Sequence, residues 1–309
     1  MRQELVSYLS FYGAVVSLVR PAIIIAILTG LWVALQRTDL TPAARTGTWL
    51  AVALPLVAWF VFIWTVATAG AFEARPSGPP LLPAAIVLPI IIALPLLTRS
   101  QRIAAALDAA PASWPIGLQV YRVLGGNFLI LWAYGGAIPG AFALPAGFGD
   151  VLTGLLALPA ALYLASGAPH GRTVAIAWNL LGIADLISAV SLGALTTPGP
   201  LQLIAFDQPN LLTSSYPSVM TPAFAVPLSL ILHGLSLWQL RRLGRRARTA
   251  APSGHVRRPP RLSGMDCPEW RDGARQSLRP TPSVALLARV ISMAARHHRV
   301  DAGARLERA

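Results

Sequence analysis

Six polar or ionisable side chains lie inside long apolar stretches of the sequence. A charge at the centre of a bilayer costs about 3 kcal/mol or more, so such residues indicate a candidate path for a substrate or an ion. Asp185 and His233 fall near the middle of their stretches, and both types of side chain can change charge. The six residues are Arg122, Asn127, Asp150, Asn179, Asp185 and His233.

Several of these residues also have purely structural explanations. Arg122 and Asp150 fall near the ends of their stretches, where an arginine can snorkel to water and a carboxylate can stabilise a helix N-terminus. Asn179 can hydrogen-bond to a neighbouring helix, and such bonds contribute about 0.6 kcal/mol on average. For Asp185 two arrangements remain open: an ion pair with His233, or a protonated carboxyl group bonded to the backbone or to an asparagine.

The elements that must position these side chains are membrane-spanning helices. Of 309 residues, 55% are hydrophobic and 12% are charged, with a mean hydropathy of +0.59, whereas soluble domains carry about 25% charged residues. A helix needs about 20 apolar residues to cross the hydrocarbon. Seven stretches meet this requirement and predict an all-α, polytopic transmembrane bundle: 15–36, 47–72, 81–98, 119–138, 149–166, 173–195 and 222–240.

Two places in these stretches are irregular. Arg20 interrupts the first, so it should snorkel to an interface or move the start of the span to Pro21. The segment 138–150 is apolar but contains Pro139, Pro145 and several glycines. It predicts a break in the helix, either as a tight outer hairpin, which is favoured, or as a re-entrant loop shielded by protein or by a water-filled cavity.

The distribution of arginine predicts the orientation, because basic residues near span ends are retained in the cytoplasm. Arg37, Arg99 and Arg172 mark three loops on the side shared with the C-terminus, whereas the loop 196–221 has no basic residue. We therefore expect the N-terminus outside and the C-terminus inside.

The positive net charge of +13 comes from the end of the chain. Residues 1–240 contain nine Arg and seven acids, whereas 241–309 contain sixteen Arg and five acids, a net of +11. The sequence thus predicts a transmembrane domain over 1–240 and a basic, mostly disordered cytoplasmic tail over 241–309, with a short interfacial helix at 283–296 as an alternative. The tail lacks interleaved aromatic residues, so no nucleic-acid partner is expected.

Nothing in the sequence predicts a cofactor or a metal site. Cys267 is the only cysteine, which excludes an internal disulfide and a cysteine-based cluster. The sequence contains no HExxH, GxSxG or P-loop motif. The common enzyme classes that depend on these motifs are therefore disfavoured, and we expect no catalytic residues.

The tetrapeptide Gly147-Phe-Gly-Asp150 resembles the GxGD motif of intramembrane aspartyl proteases. The resemblance implies that Asp150 acts with a second membrane aspartate, Asp185 or Asp108, on a water molecule. The sequence departs from the family pattern in two ways. No Tyr-Asp motif precedes the tetrapeptide, and no Pro-Ala-Leu motif follows it. An eight-residue echo between 147–154 and 182–189, with aspartate at the same position in each, has two explanations: chance, which is favoured, or an inverted repeat.

A broader pattern resembles uncharacterised bacterial multi-pass membrane proteins over residues 119–240. It consists of Gln119-Val-Tyr-Arg-Val, Phe142-Ala-Leu-Pro-Ala-Gly and Trp178-Asn-Leu-Leu-Gly. The resemblance implies a bacterial origin and a place in the inner membrane, but no activity.

Three functions follow as hypotheses. The favoured one is a membrane scaffold or accessory subunit that binds a membrane protein or a second copy, because small residues allow close helix packing. The alternative is a transporter or channel for a proton, an ion or a small molecule, with a polar site among the fourth to seventh spans. An intramembrane enzyme of GxGD type is the third. The small residues concerned are Gly125, Gly126, Gly135, Gly136 and Gly140.

Overall fold

The protein is a bundle of α-helices. The computed structural model describes residues 2–74, 81–134 and 136–250, and these ranges contain no strand. Seven helical segments within them are long and apolar enough to cross a membrane. The fold is therefore the all-α, polytopic bundle that the sequence predicts. The α-helices are α1 (Arg2–Gln36), α2 (Pro42–Thr68), α3 (Leu81–Arg99), α4 (Gln101–Ala109), α5 (Trp114–Gly117), α6 (Asn127–Ala133), α7 (Gly140–Ala165), α8 (Gly171–Thr196) and α9 (Val226–Ala250).

Two of the seven spans are not regular α-helix throughout. The fourth runs over Trp114–Ala133, and its centre, Leu118–Gly126, is a 3₁₀-helix between α5 and α6. The seventh runs over Thr221–Arg246 and starts with a π-helical turn at Thr221–Ala225. Long 3₁₀ stretches and π-turns are uncommon and often occur at functional sites. Both irregular segments adjoin the polar residues described below.

The seventh span is the central helix of the bundle, with the largest buried fraction of the seven. It packs against α3 and α8, and its end is fixed to α4. Arg242 donates to both carboxylate oxygens of Asp108, at 3.1 and 2.5 Å, and Arg246 donates to the same group at 2.6 Å. These contacts anchor the arginine-rich end of α9 to the amphipathic helix between the third and fourth spans.

The prediction of a helix break over 138–150 is wrong for most of that segment. Only Ile138 and Pro139 turn the chain, and α7 is continuous from Gly140 to Ala165 with Pro145 inside it. Pro145 is the sixth residue of α7 and removes one intrahelical hydrogen bond, which membrane helices tolerate where neighbouring groups or local adjustments satisfy the freed carbonyl. As a result Asp150 lies in the interior of α7 and not at its N-terminus.

The predictions for Arg20 are also wrong. The first helix runs unbroken from Arg2 through Pro21 to Gln36, so the span does not begin at Pro21. Arg20 is only 5% exposed, and it donates to the Thr221 side chain at 3.0 Å. An internal partner on the seventh span therefore holds this guanidinium inside the bundle.

The predicted tail helix at 283–296, Cys267 and Gly135 lie outside the described residues. The helix α9 itself continues to Ala250, ten residues past the predicted end of the membrane domain.

Gly154 on α7 allows the closest approach of two helices in the bundle interior. A Cβ atom at this position would lie 2.6 Å from the Val123 backbone nitrogen, which belongs to the 3₁₀ segment and cannot move aside. We expect Gly154→Ala to destabilise the protein by about 1–3 kcal/mol, the typical cost of overpacking, and to lower its melting temperature in detergent.

The matched control is Gly47→Ala, because a Cβ atom there meets no atom within 4 Å. Equal melting temperatures for the two variants would contradict the packing described.

Candidate functional site

The guanidinium of Arg122 joins two carboxylates from two other spans. Its Nε donates to Asp150 Oδ1 at 2.8 Å, and its Nη2 contacts the same oxygen at 2.7 Å. Nη2 also pairs with Asp185. The arginine side chain is 2% exposed and each carboxylate is 8% exposed. Because the fourth span begins at Trp114, Arg122 lies well inside it, and the explanation that it snorkels from a span end is wrong.

The remaining nitrogen of Arg122 faces the seventh span. Nη1 donates to the Gly182 carbonyl at 3.3 Å and lies 3.2 Å from His233 Nε2. Each nitrogen of the guanidinium therefore has a partner. A buried arginine satisfied in this way ties together the fourth, fifth, sixth and seventh spans.

The hydrogen bonds of His233 identify its protonated nitrogen. Asn179 donates from Nδ2 to the Ala175 carbonyl at 2.7 Å and to Ser236 Oγ at 3.0 Å, so its Oδ1 is the atom that faces His233 Nδ1 at 2.9 Å. An amide oxygen only accepts, hence Nδ1 carries the proton and Nε2 accepts from Arg122. His233 is thus neutral in this arrangement, and the groups that can take up a proton are the two carboxylates.

Both arrangements expected for Asp185 are wrong. Asp185 pairs with Arg122, whereas the sequence analysis expected His233, the backbone or an asparagine as its partner. The explanation of Asn179 as an interhelical hydrogen-bonding residue agrees with its bonds to α9. Five of the six sequence candidates form one cluster. Asp150, Asp185 and His233 contact Arg122 directly, and Asn179 joins the cluster through its contact with His233.

Asn127, the sixth candidate, lies apart from this cluster. Its Oδ1 accepts from the Tyr8 hydroxyl at 2.9 Å, which links α6 to α1. Its Nδ2 is buried and has no partner among the described residues.

A small cavity adjoins the cluster on the side of the first span. It encloses about 30 Å³, enough for one or two water molecules. Arg122 and Asp150 line it on one side, and Arg20, Tyr12 and Thr221 line it on the other. The Tyr12 and Thr221 hydroxyls are 3.2 Å apart. Arg20 Nη1 is buried without a partner in the described part of the chain. The cavity therefore separates an arginine that has only hydroxyl contacts from a carboxylate-rich cluster.

A row of polar side chains follows one face of α9 past the cluster. Ser229, His233, Ser236 and Gln239 are each at most 1% exposed, and their spacing of four, three and three places them on one side of the helix. Ser229 bonds to Tyr121 at 2.7 Å, and Gln239 donates to the Ala110 carbonyl at 2.9 Å. Polar groups thus extend from the cavity toward the arginine-rich end of the bundle.

Sequence reasoning singled out Arg20 but did not place it beside the site, and it missed most of this row. The periodicity of the serines with His233 was visible in the sequence, because residues four and three apart share a helical face. Serine is common at many positions in membrane helices, however, and only the burial of all four side chains distinguishes this row. A charged residue inside an apolar stretch was visible at Arg20 too. Its partner Thr221 is 201 residues away, however, and the sequence alone does not connect the two.

Glycines allow the carboxylates to reach the arginine. A Cβ atom at Gly149 would collide with the Asp185 carboxylate, and one at Gly125 would collide with Asp150. The two aspartates of the internal echo thus approach the same guanidinium from α7 and α8. Gly149 belongs to the GxGD tetrapeptide, so close packing explains the glycine in that motif. Both aspartates pair with the same guanidinium, whereas the protease resemblance implies that they act together on a water molecule.

The described residues contain no group of three or more His, Cys, Asp or Glu that could hold a metal ion. Both carboxylates of the cluster already pair with the Arg122 guanidinium. The site can hold protons and hydrogen-bonded water.

Removal of the Arg122 charge should destabilise the bundle strongly. Arg122→Gln leaves two buried carboxylates without a cation, and breaking a buried ion pair costs about 3–5 kcal/mol. We expect a large loss of melting temperature and of monodisperse protein on size-exclusion chromatography. Arg45→Gln is the control, because Arg45 contacts Gln36 and the Thr38 carbonyl at a helix end. Similar stability of the two variants would contradict the role of Arg122.

Comparison with known proteins identifies a family but no activity. No curated protein matches the chain, and no solved structure matches it. One family model, described as Domain of unknown function (DUF8737), matches residues 79–241. The match covers the third to sixth spans, most of the seventh and therefore the whole Arg122 cluster, while the first two spans, with Arg20, precede it. Because this match includes more than half of the chain, the protein belongs to the DUF8737 family.

Proposed function

We propose that this multi-pass membrane protein conducts protons, or exchanges them with a small solute, through the polar site between its fourth and seventh spans. The observation that carries the proposal is the buried polar row on α9, which meets the Arg122 cluster at mid-span. A purely structural bundle gains little from such a row, since hydrogen bonds between membrane helices contribute only about 0.6 kcal/mol each.

The charges of the cluster support a proton as the species that binds. Two carboxylates pair with one guanidinium, so this triad carries one negative charge in excess. The buried Arg20 guanidinium lines the same small cavity, but its hydrogen bond goes to the Thr221 hydroxyl and not to either carboxylate. Uptake of one proton by Asp185 neutralises that excess and leaves the Arg122–Asp150 pair intact. Asp185 is therefore the group that we propose to load and release the proton.

Two further features favour a conducting role. The 3₁₀ stretch and the π-turn adjoin the site, and irregular backbone in membrane helices is tolerated where it lines a cavity or is buried in protein. Polar atoms beside the row are buried without partners in the described ranges, including both amide atoms of Gln119 and Gln239 Oε1. Water is the usual partner of such atoms and also carries protons.

The scaffold hypothesis receives less support. Several of the small residues that suggested close packing meet side chains of this chain itself: Gly125 faces Asp150, Gly126 faces Val151 and Gly140 faces Trp132. These glycines therefore serve helix packing within the chain.

We place the protein in the inner membrane of a bacterium, with its N-terminus outside and its C-terminus inside. Helical bundles differ from the β-barrels of outer membranes. The arginine-rich loops and the end of α9 lie at one end of the bundle, which the positive-inside rule assigns to the cytoplasm.

Asp185→Asn should abolish proton flux without unfolding the protein. The substitution removes the excess charge and leaves a neutral Arg122–Asp150 pair, so stability should be retained. The measurement is the internal pH of proteoliposomes, followed with an enclosed pH-sensitive dye after a potassium diffusion potential is applied. We expect the variant to match protein-free liposomes.

Asp39→Asn is the control, because it makes the same change at an exposed loop position. Ser236→Ala is a second variant that removes one hydroxyl from the polar row and no charge, and we expect it to slow the flux. The proposal fails if wild-type protein conducts no better than empty liposomes, or if both Asp185→Asn and Ser236→Ala conduct as well as wild type.

A further inference from the structure

A large apolar groove opens on the side of the bundle away from the polar site. Its volume is about 1180 Å³, above the roughly 300–1000 Å³ of small-molecule pockets. Residues of the second and third spans form its two walls, residues of the first span between 26 and 34 line it as well, and Leu228, Ile231 and Leu235 of α9 line its floor. The walls pack mainly on other elements, α2 on α1 and α3 on α9. The groove is therefore a cleft between the second and third spans that the first span also borders.

The groove has the dimensions of lipid chains. Along α3 its lining extends from Leu81 to Leu97, a length of about 24 Å at 1.5 Å per residue. The hydrocarbon core of a bilayer is about 30 Å thick. Within the described part of the chain no lining side chain is charged, and Thr29 and Ser113 provide the hydroxyl groups. An occupant must be apolar over nearly its whole length.

One end of the groove carries a group of exposed guanidinium groups. Arg37 lies over the ring of Trp114, a lining residue, at 5.5 Å. Arg99 follows the lining residue Leu97 by two positions, and Arg102 directly precedes the lining residue Ile103. Both are exposed, and no carboxylate pairs with any of the three among the described residues. At the other end, the described lining residues, which include Phe72 and Leu81, contain no arginine.

We infer that the groove is a binding site for an anionic phospholipid, with the acyl chains between α2 and α3 and the phosphate against Arg37, Arg99 and Arg102. Apolar walls of membrane depth select the chains, and the unpaired arginines at one end select the charge of the headgroup. The arginines also fix which leaflet supplies the lipid, namely the one at the C-terminal end of α3. This inference is independent of the proposed proton path.

The test is native mass spectrometry of the full chain in detergent, titrated separately with phosphatidylglycerol and phosphatidylcholine. Wild type should bind phosphatidylglycerol more tightly. The double substitution Arg99→Gln with Arg102→Gln should weaken phosphatidylglycerol binding by about 30-fold, since each basic residue near an anionic lipid contributes about five-fold. The control is Arg241→Gln with Arg245→Gln. These two arginines are also exposed, but neither is adjacent in sequence to a residue that lines the groove.

A second pair of variants tests the groove itself. Ala93→Phe places a ring in the lining of the groove, whereas Ala177→Phe adds the same ring to an exposed position of α8 outside it. Ala93→Phe should reduce binding of both lipids, and Ala177→Phe should not.

Three results would overturn the inference. Equal affinity for the two lipids in wild type would exclude headgroup selection. Unchanged lipid binding by Ala93→Phe would place the lipid elsewhere. A dimer in light scattering that Ala93→Phe dissociates would assign the groove to a second copy of the chain.

Discussion

The buried guanidinium of Arg122 is the constraint on which the bundle depends. A cation inside a membrane protein needs compensating charge and a hydrogen-bond acceptor for each of its donors. Asp150 and Asp185 supply the charge, and the Gly182 carbonyl and His233 supply the other acceptors. These partners come from three different helices, so four spans have to meet at one point.

This meeting point explains features of the fold that otherwise have no common cause. The fourth span is a 3₁₀-helix over Leu118–Gly126, around the arginine, and its neighbour α7 approaches it at Gly154 more closely than any other residue type permits. The central position of α9 has the same origin, because His233 has to face both Arg122 and Asn179. A site in which two carboxylates pair with one guanidinium in this rigid setting is suited to bind a proton, which is small and needs no opening of the bundle.

The sequence predicted the spans well and the contacts within the site poorly. Long apolar stretches are a local property, so all seven spans were identified, and most ends agree within a few residues. The exceptions, such as the early start of the fourth span at Trp114 and of α7 at Gly140, moved Arg122 and Asp150 from predicted helix ends into helix interiors. Pairing is not a local property. Asp185 was expected either beside His233 or as a protonated group bonded to the backbone or to an asparagine, but its partner Arg122 lies 63 residues away on the fourth span. No pattern in one sequence specifies which of several buried charges meet.

The most direct test of the account is whether the lost Arg122 charge can be compensated. Arg122→Gln combined with Asp150→Asn and Asp185→Asn replaces three charged groups by neutral side chains of similar shape. If charge balance holds the four spans together, this triple variant should melt at a higher temperature than Arg122→Gln alone and recover monodisperse protein. A triple variant that is as unstable as, or less stable than, the single variant would contradict the claim that Arg122 acts by neutralising the two carboxylates.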